Sequence, residues 1–163
     1  MNLRGRRIHI AGSADIQSDS VKLGYVHALV SQLVQVLAAE GATFVIPFGK
    51  EPFLKDHAEG SSIIFDWTIA QAVYDALKAG HALSGGPNGR LVATLATSKT
   101  DSLIPADRRS VYEGLRNASA VSMEALDPGW SAGAIQRQRL AQLGDILIGI
   151  SGGQGVEQLA IEY

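Results

Sequence analysis

Short apolar runs rich in β-branched residues alternate with longer stretches of helical periodicity, and this alternation restricts the fold more than any other feature. The runs are Arg7 to Ala11, Ala42 to Phe48, Leu91 to Ala96, Ala120 to Leu126 and Asp145 to Ile150. A further short strand at Ala82 to Ser84 would close a hairpin over the turn Gly85-Gly86-Pro87-Asn88-Gly89. Between the runs lie helical patterns. Over Val21 to Glu40, the residues Val26, Leu29, Val30, Leu33 and Leu37 form one apolar face, stopped by Gly41 at the C′ position. Over Ile64 to Ala79, the residues Phe65, Ile69, Val73 and Leu77 do the same. One more helix ends near Asn117, one lies between Ser131 and Gly144, and the last begins near Val156. Strands separated by helices of this length pair in parallel, because a tight turn cannot join parallel neighbours. The expected architecture is a Rossmann-like three-layer α/β sandwich with a mostly parallel sheet of five or six strands, formed by residues 1–163 as a single domain.

In such a sheet every strand-to-helix loop falls on one edge, and ligands bind there where the strand order reverses. Five groups of residues are therefore candidates for ligand binding. The first loop offers Gly12, Ser13, Ala14 and Asp15, with Ser13 able to donate to an anion and Asp15 able to accept from a sugar hydroxyl. Ser98 and Lys99 follow the Leu91 run, and Trp130 follows the Ala120 run. The last strand breaks into Ser151-Gly152-Gly153-Gln154-Gly155, followed by Val156 and Glu157 at a helix start. Strand, glycine turn and helix N-terminus leave backbone N–H groups free for a phosphate. Arg137 and Arg139 lie one element upstream, and a helical wheel turns Arg139 towards the Ala132, Ile135, Leu140 and Leu143 face. Each candidate also has a plain structural reading: a capping loop, a solvated lysine, a packed tryptophan, a snorkelling arginine.

Composition excludes more than it selects. Charged residues are 18% of the chain, below the roughly 25% of soluble domains, which suits a surface covered by a second copy or another domain. A net charge of −2 supplies no field for nucleic acid or an anionic membrane. Cysteine is absent, so thiolate metal sites and disulfides are excluded and a cytoplasmic location is expected. His9, His27, His57 and His81 have no metal-ligand spacing, and no Ser/His/Asp set or carboxylate pair stands out. No metal and no cofactor is expected beyond a nucleotide ligand. The abrupt end at Tyr163 suggests a fragment of a longer protein, or a partner over the last helix.

Gly12-Ser13, an arginine-bearing helix, a strand opening at Asp145 and a GGxG turn together resemble the SLOG superfamily. That group includes DprA, the LOG phosphoribohydrolases and the sensor domains of Thoeris NADases. The LOG enzymes carry PGGxGTxxE, whose final Glu serves N-glycosidic cleavage, preceded by an Arg-Lys pair on a helix. The matching positions here hold Ser151, Gly152, Gly153, Gly155, Val156 and, for the acid, Leu159. The pair falls on Gln136 and Arg137. A leucine cannot transfer a proton, so the resemblance implies a sensor and not a hydrolase. It implies a non-catalytic domain that binds an NAD-derived nucleotide, ADP-ribose or a cyclic isomer, and signals to a fused or associated effector in antiviral defence. A homodimer is implied as well. The rival expectations are a LOG-like nucleotide N-glycosidase using relocated residues, among them Glu157, and a scaffold that only oligomerises.

Overall fold

The computed structural model describes residues 2–15, 19–53, 62–80, 89–126, 132–151 and 153–163. Trp130, Gly152 and the expected strand at 82–84 lie outside these residues. Among the described residues, five strands form one all-parallel sheet: β1 (Arg7–Ala11), β2 (Thr43–Val45), β3 (Val92–Ala96), β4 (Val121–Ala125) and β5 (Ile146–Gly149). Their order is β4-β3-β2-β1-β5. The chain thus begins inside the sheet, moves outward by single steps to β4, and then crosses back to lay β5 on the other side of β1. The reversal falls between β1 and β5.

The helices among the described residues are α1 (Ser20–Ala39), α2 (Asp66–Lys78), α3 (Thr100–Leu103), α4 (Arg109–Asn117), α5 (Ala132–Leu143) and α6 (Gln154–Glu162). Helices α1, α2 and α4 cover one face of the sheet, where Ile8, Ile10, Phe44, Ile46 and Val92 are buried against them. Helices α5 and α6 cover the other face, over Ala11, Val45, Ala93 and Leu95. Strand period two decides which residue meets which layer. This is the three-layer sandwich expected from the alternation.

Helix α1 shows how local chemistry sets its ends. Asp19 accepts from the N–H groups of Val21 and Lys22 at 2.8 and 3.2 Å, the bonds of an N-cap. At the other end Gly41 adopts φ +90°, with Gly41 N–H bonded to Ala38 O and Ala42 N–H to Leu37 O. That pair of bonds is a Schellman closure, and its left-handed residue is the glycine the sequence supplies.

The inner face of α1 keeps Val26, Val30, Leu33 and Leu37 of the expected one and loses Leu29. Its buried residues are Leu23, Val30, Val34 and Ala38, whereas Leu29 is 58% exposed. The helix is apolar nearly all round, with Lys22 its only formal charge, so periodicity alone could not choose its inward side. By length and a mean hydropathy of 1.3 it is also the one described helix that matches a membrane span, yet its inner side is built into the core on α2.

His9 points from β1 into the α5/α6 side of the sheet, 2% exposed and 6.1 Å from the Tyr163 ring. Its Nδ1 has no hydrogen-bond partner among the described residues, and burial lowers its pKa to about 4. The imidazole is therefore neutral in the folded chain at neutral pH.

A candidate nucleotide crevice at the strand reversal

Beyond the ends of β1 and β5 the structure opens a cavity of about 440 Å³, lined by Ser13, Ala14, Asp15, Asp19, Lys22, Leu23, Val26, Phe65, Ile150 and Ser151. Its position at the switch in strand order is where open α/β sheets place ligands, and its size falls in the range of small-molecule sites. Of the sequence candidates, Ser13, Ala14, Asp15 and Ser151 meet here, and Gly12 precedes them without entering the lining.

Gly12 is required by close approach. A Cβ at this position would land on the Ile150 carbonyl oxygen and lie 2.7 Å from Cε2 of Phe65. The backbones are clamped there, since Ile150 N–H donates to Ala11 O at 2.9 Å. The next residues are stitched to the start of α2: Ser13 bridges Ile64, and Ala14 N–H donates to Ile63 O at 2.8 Å. The Ala14 amide is thus spent within the protein and is not a phosphate donor. Ser151 holds φ +56°, a left-handed conformation that costs a non-glycine residue about 1 kcal/mol. Such strain at a cavity wall is characteristic of functional positions.

The charges of the cavity are two carboxylates, Asp15 and Asp19, against Lys22. Asp19 is engaged as the α1 cap. The walls are apolar through Leu23, Val26, Phe65 and Ile150. Apolar walls beside charged and hydroxyl groups suit a small ligand with both kinds of surface.

Other candidates lie elsewhere. Gly153 is the N-cap of α6, with Gly155, Val156 and Glu157 in its first turn, beside the cavity but not in its lining. A Cβ at Gly153 or Gly155 would meet nothing within 4 Å, so neither glycine is demanded by packing. Ser98 and Lys99 sit after β3, two strands and roughly 10 Å from β1. Arg137 lines a separate cleft of about 200 Å³ with Ala134, Gln158, Ile161 and Glu162. Arg139 corrects the wheel: it is exposed and donates to Gln142 Oε1 at 3.0 Å. Leu140, Ala141 and Leu143 are the buried residues of α5, and Ile135 is 37% exposed, because packing against α6 and β3 sets the rotation. Asp145 accepts from Arg7 N–H at 2.7 Å at the opposite edge of the sheet.

The structure also brings together residues that no spacing revealed. Glu51, in the connection after β2, has a side chain 1% exposed and is held by Arg108 through Nε at 2.7 Å and Nη2 at 2.9 Å. Asp66, the first residue of α2, is half-buried beside it; burial first, and the Glu51 charge second, push its pKa up to about 7. Glu51 follows β2, Asp66 opens α2 directly after the cavity wall residue Phe65, and Arg108 is the N-cap of α4. This is a carboxylate pair that the sequence did not announce.

Asp66 has a pH signature. Its folded pKa lies above the unfolded one, so between about pH 4 and pH 7 the unfolded chain ionises this group while the folded chain keeps the proton. Its contribution to stability falls as pH rises through that window. Urea unfolding of wild type and Asp66→Asn across pH 4 to 8 should show the variant gaining on wild type up to about pH 7 and then running parallel. A constant difference would mean that the carboxyl titrates normally.

No curated protein matches the sequence. A family model described as "ATP nucleosidase Cap17-like, N-terminal" matches residues 3–163. The match takes in the sheet, the crevice and the Glu51–Asp66 pair, and the chain belongs to this family of SLOG-type nucleotide-processing domains.

Proposed function

We propose that this domain is a nucleotide receptor: an NAD-derived nucleotide, ADP-ribose or a cyclic isomer, occupies the β1/β5 crevice, and its arrival is relayed to an ATP nucleosidase effector in antiviral defence. The family description supports the second half, because it joins an N-terminal part to an ATP nucleosidase. The observation that carries the first half is Leu159. At the position where the LOG pattern has its acid, this chain buries a leucine, 5% exposed, against Ala11 and Ala141. A side chain there faces the sheet, so the cradle keeps its shape without that acid. Glu157 is exposed on a different face of α6 and does not replace it.

A second reading has its own support. A carboxyl held near neutrality beside an ionised partner is what a general acid for N-glycosidic cleavage requires, and Asp66 with Glu51 has that character. On this reading the domain itself cleaves a nucleotide.

One experiment separates them. The protein is titrated by calorimetry with ADP-ribose, a cyclic isomer, NAD, AMP and ATP, and the same mixtures are chromatographed for free base. The receptor reading expects saturable binding without base release, and Asp15→Ala should weaken binding about tenfold by removing an acceptor for a ribose hydroxyl. Sustained base release that Asp66→Asn abolishes would transfer the function to the carboxylate pair. Absence of binding to a folded sample would leave the scaffold reading.

A further inference from the structure

Helix α6 rests on the ends of both strands that lead into the crevice. Every residue of the helix is exposed except half-buried Val156 and buried Leu159, which lie one turn apart on the same face. Leu159 packs with Ala11, the last residue of β1, which leads through Gly12 to Ser13 on one wall. Val156 lies over Gly149, the last residue of β5, where an added Cβ would meet its Cγ1 at 3.5 Å. Ile150 and Ser151, on the other wall, follow directly.

The start of α6 has no fastening of its own. Its N-cap, Gly153, makes no side-chain capping bond, and Gly153 and Gly155 border open space. The helix is fastened at its other end. Tyr163, its C-cap, is fitted into the end of α5: a Cβ at Gly144 would land on the Tyr163 hydroxyl oxygen and lie 2.8 Å from its Cζ. That hydroxyl reaches the Leu140 carbonyl oxygen at 3.5 Å, and the ring stands 6.1 Å from the buried His9. Gly144 has no left-handed φ, so it is the approach of Tyr163, and not the backbone, that requires a glycine there.

We propose that Tyr163 is a remote positioning residue for the crevice: seated against Gly144, it holds α6 down, and α6 holds the strand ends from which both walls grow. The inference rests on the crevice being the nucleotide site. Tyr163 is not in the cavity lining, and a nine-residue helix of about 13 Å separates it from the crevice side. A helix this short moves as one body, so releasing its far end loosens Val156 and Leu159 together. The coupling is reciprocal. Whatever affinity the seated tyrosine gives a nucleotide, the bound nucleotide returns as firmer seating of α6.

Hydrogen exchange read by mass spectrometry, with and without saturating nucleotide, tests the coupling. The probe is whichever of ADP-ribose, a cyclic isomer, NAD, AMP and ATP binds most tightly by calorimetry. It should slow exchange at the α6 amides at least about fivefold. Tyr163→Ala and Gly144→Ala should each speed α6 exchange in the free protein and weaken the nucleotide at least about fivefold. Tyr163→Phe, which keeps the ring, should bind within about twofold of wild type. A tyrosine that serves stability alone would lower the thermal midpoint of Tyr163→Ala and leave its affinity unchanged, and that result overturns the proposal. Binding that leaves α6 exchange unaltered overturns it too, while the crevice reading stands. If none of these nucleotides binds the folded chain, the crevice reading fails and this inference fails with it.

Discussion

Gly12→Val should abolish the cooperative unfolding transition or lower it by more than about 4 kcal/mol, the largest loss expected of any single substitution in this chain. Even the Cβ shared with alanine would overlap the Ile150 carbonyl oxygen and sit 2.7 and 2.9 Å from two carbons of Phe65. The carbonyl cannot retreat without stretching the Ile150 N–H to Ala11 O bond. The ring cannot retreat either, being 2% exposed and in edge contact with His27 at 5.1 Å. His27 is itself fixed by Thr68 Oγ1 at 2.6 Å and Ser62 O at 2.7 Å. Gly12→Ala, with a single added carbon, should cost about 2–3 kcal/mol. Urea denaturation of both variants checks this, and a Gly12→Ala midpoint equal to wild type would show that the approach of β1 and β5 is looser than described.

Arg108→Ala is expected to cost about 3–5 kcal/mol, because it strands a carboxylate whose side chain is 1% exposed. The pair is asymmetric. Arg108 is 32% exposed and can be hydrated when its partner is removed, so Glu51→Gln should be the milder change. Urea denaturation of both variants checks the order of the two losses, and an Arg108→Ala no less stable than Glu51→Gln would mean that the carboxylate reaches solvent once the arginine is gone.

Much of the fold was written in local chemistry. The β-branched runs and the glycine after Glu40 fix where β1 to β5 and the end of α1 fall, since strand period and the Schellman closure are properties of a few adjacent residues. What local chemistry does not carry is rotation and adjacency. Leu29 and Arg139 were both turned inward by periodicity, and both face solvent, because the neighbours against a helix decide its rotation. The short α3 leaves no periodic trace, being a four-residue helix whose Thr100 hydroxyl accepts the Thr97 N–H at 2.8 Å. At the site, Gly12 to Asp15 and Ser151 were legible as loops after strands that lie side by side. Lys99 was grouped with them because strand order is invisible in sequence, and β2 lies between. Glu51, Asp66 and Arg108 are separated by 15 and 42 positions and only the sheet brings them together.

The lone imbalance of His9 has a counterpart on the opposite side of the sheet. At a pH between 5 and 6 the unfolded chain carries a positive imidazolium at His9 and a negative carboxylate at Asp66, while the folded chain carries neither. Folding there strips a proton from one site and places one on the other, so the chain's net charge does not change and almost no proton is exchanged with the buffer. The slopes of these two groups oppose each other: His9 makes the fold stronger as pH rises, and Asp66 makes it weaker. Two costly burials are thereby hidden from an ordinary stability profile, and each becomes visible only when the other is removed.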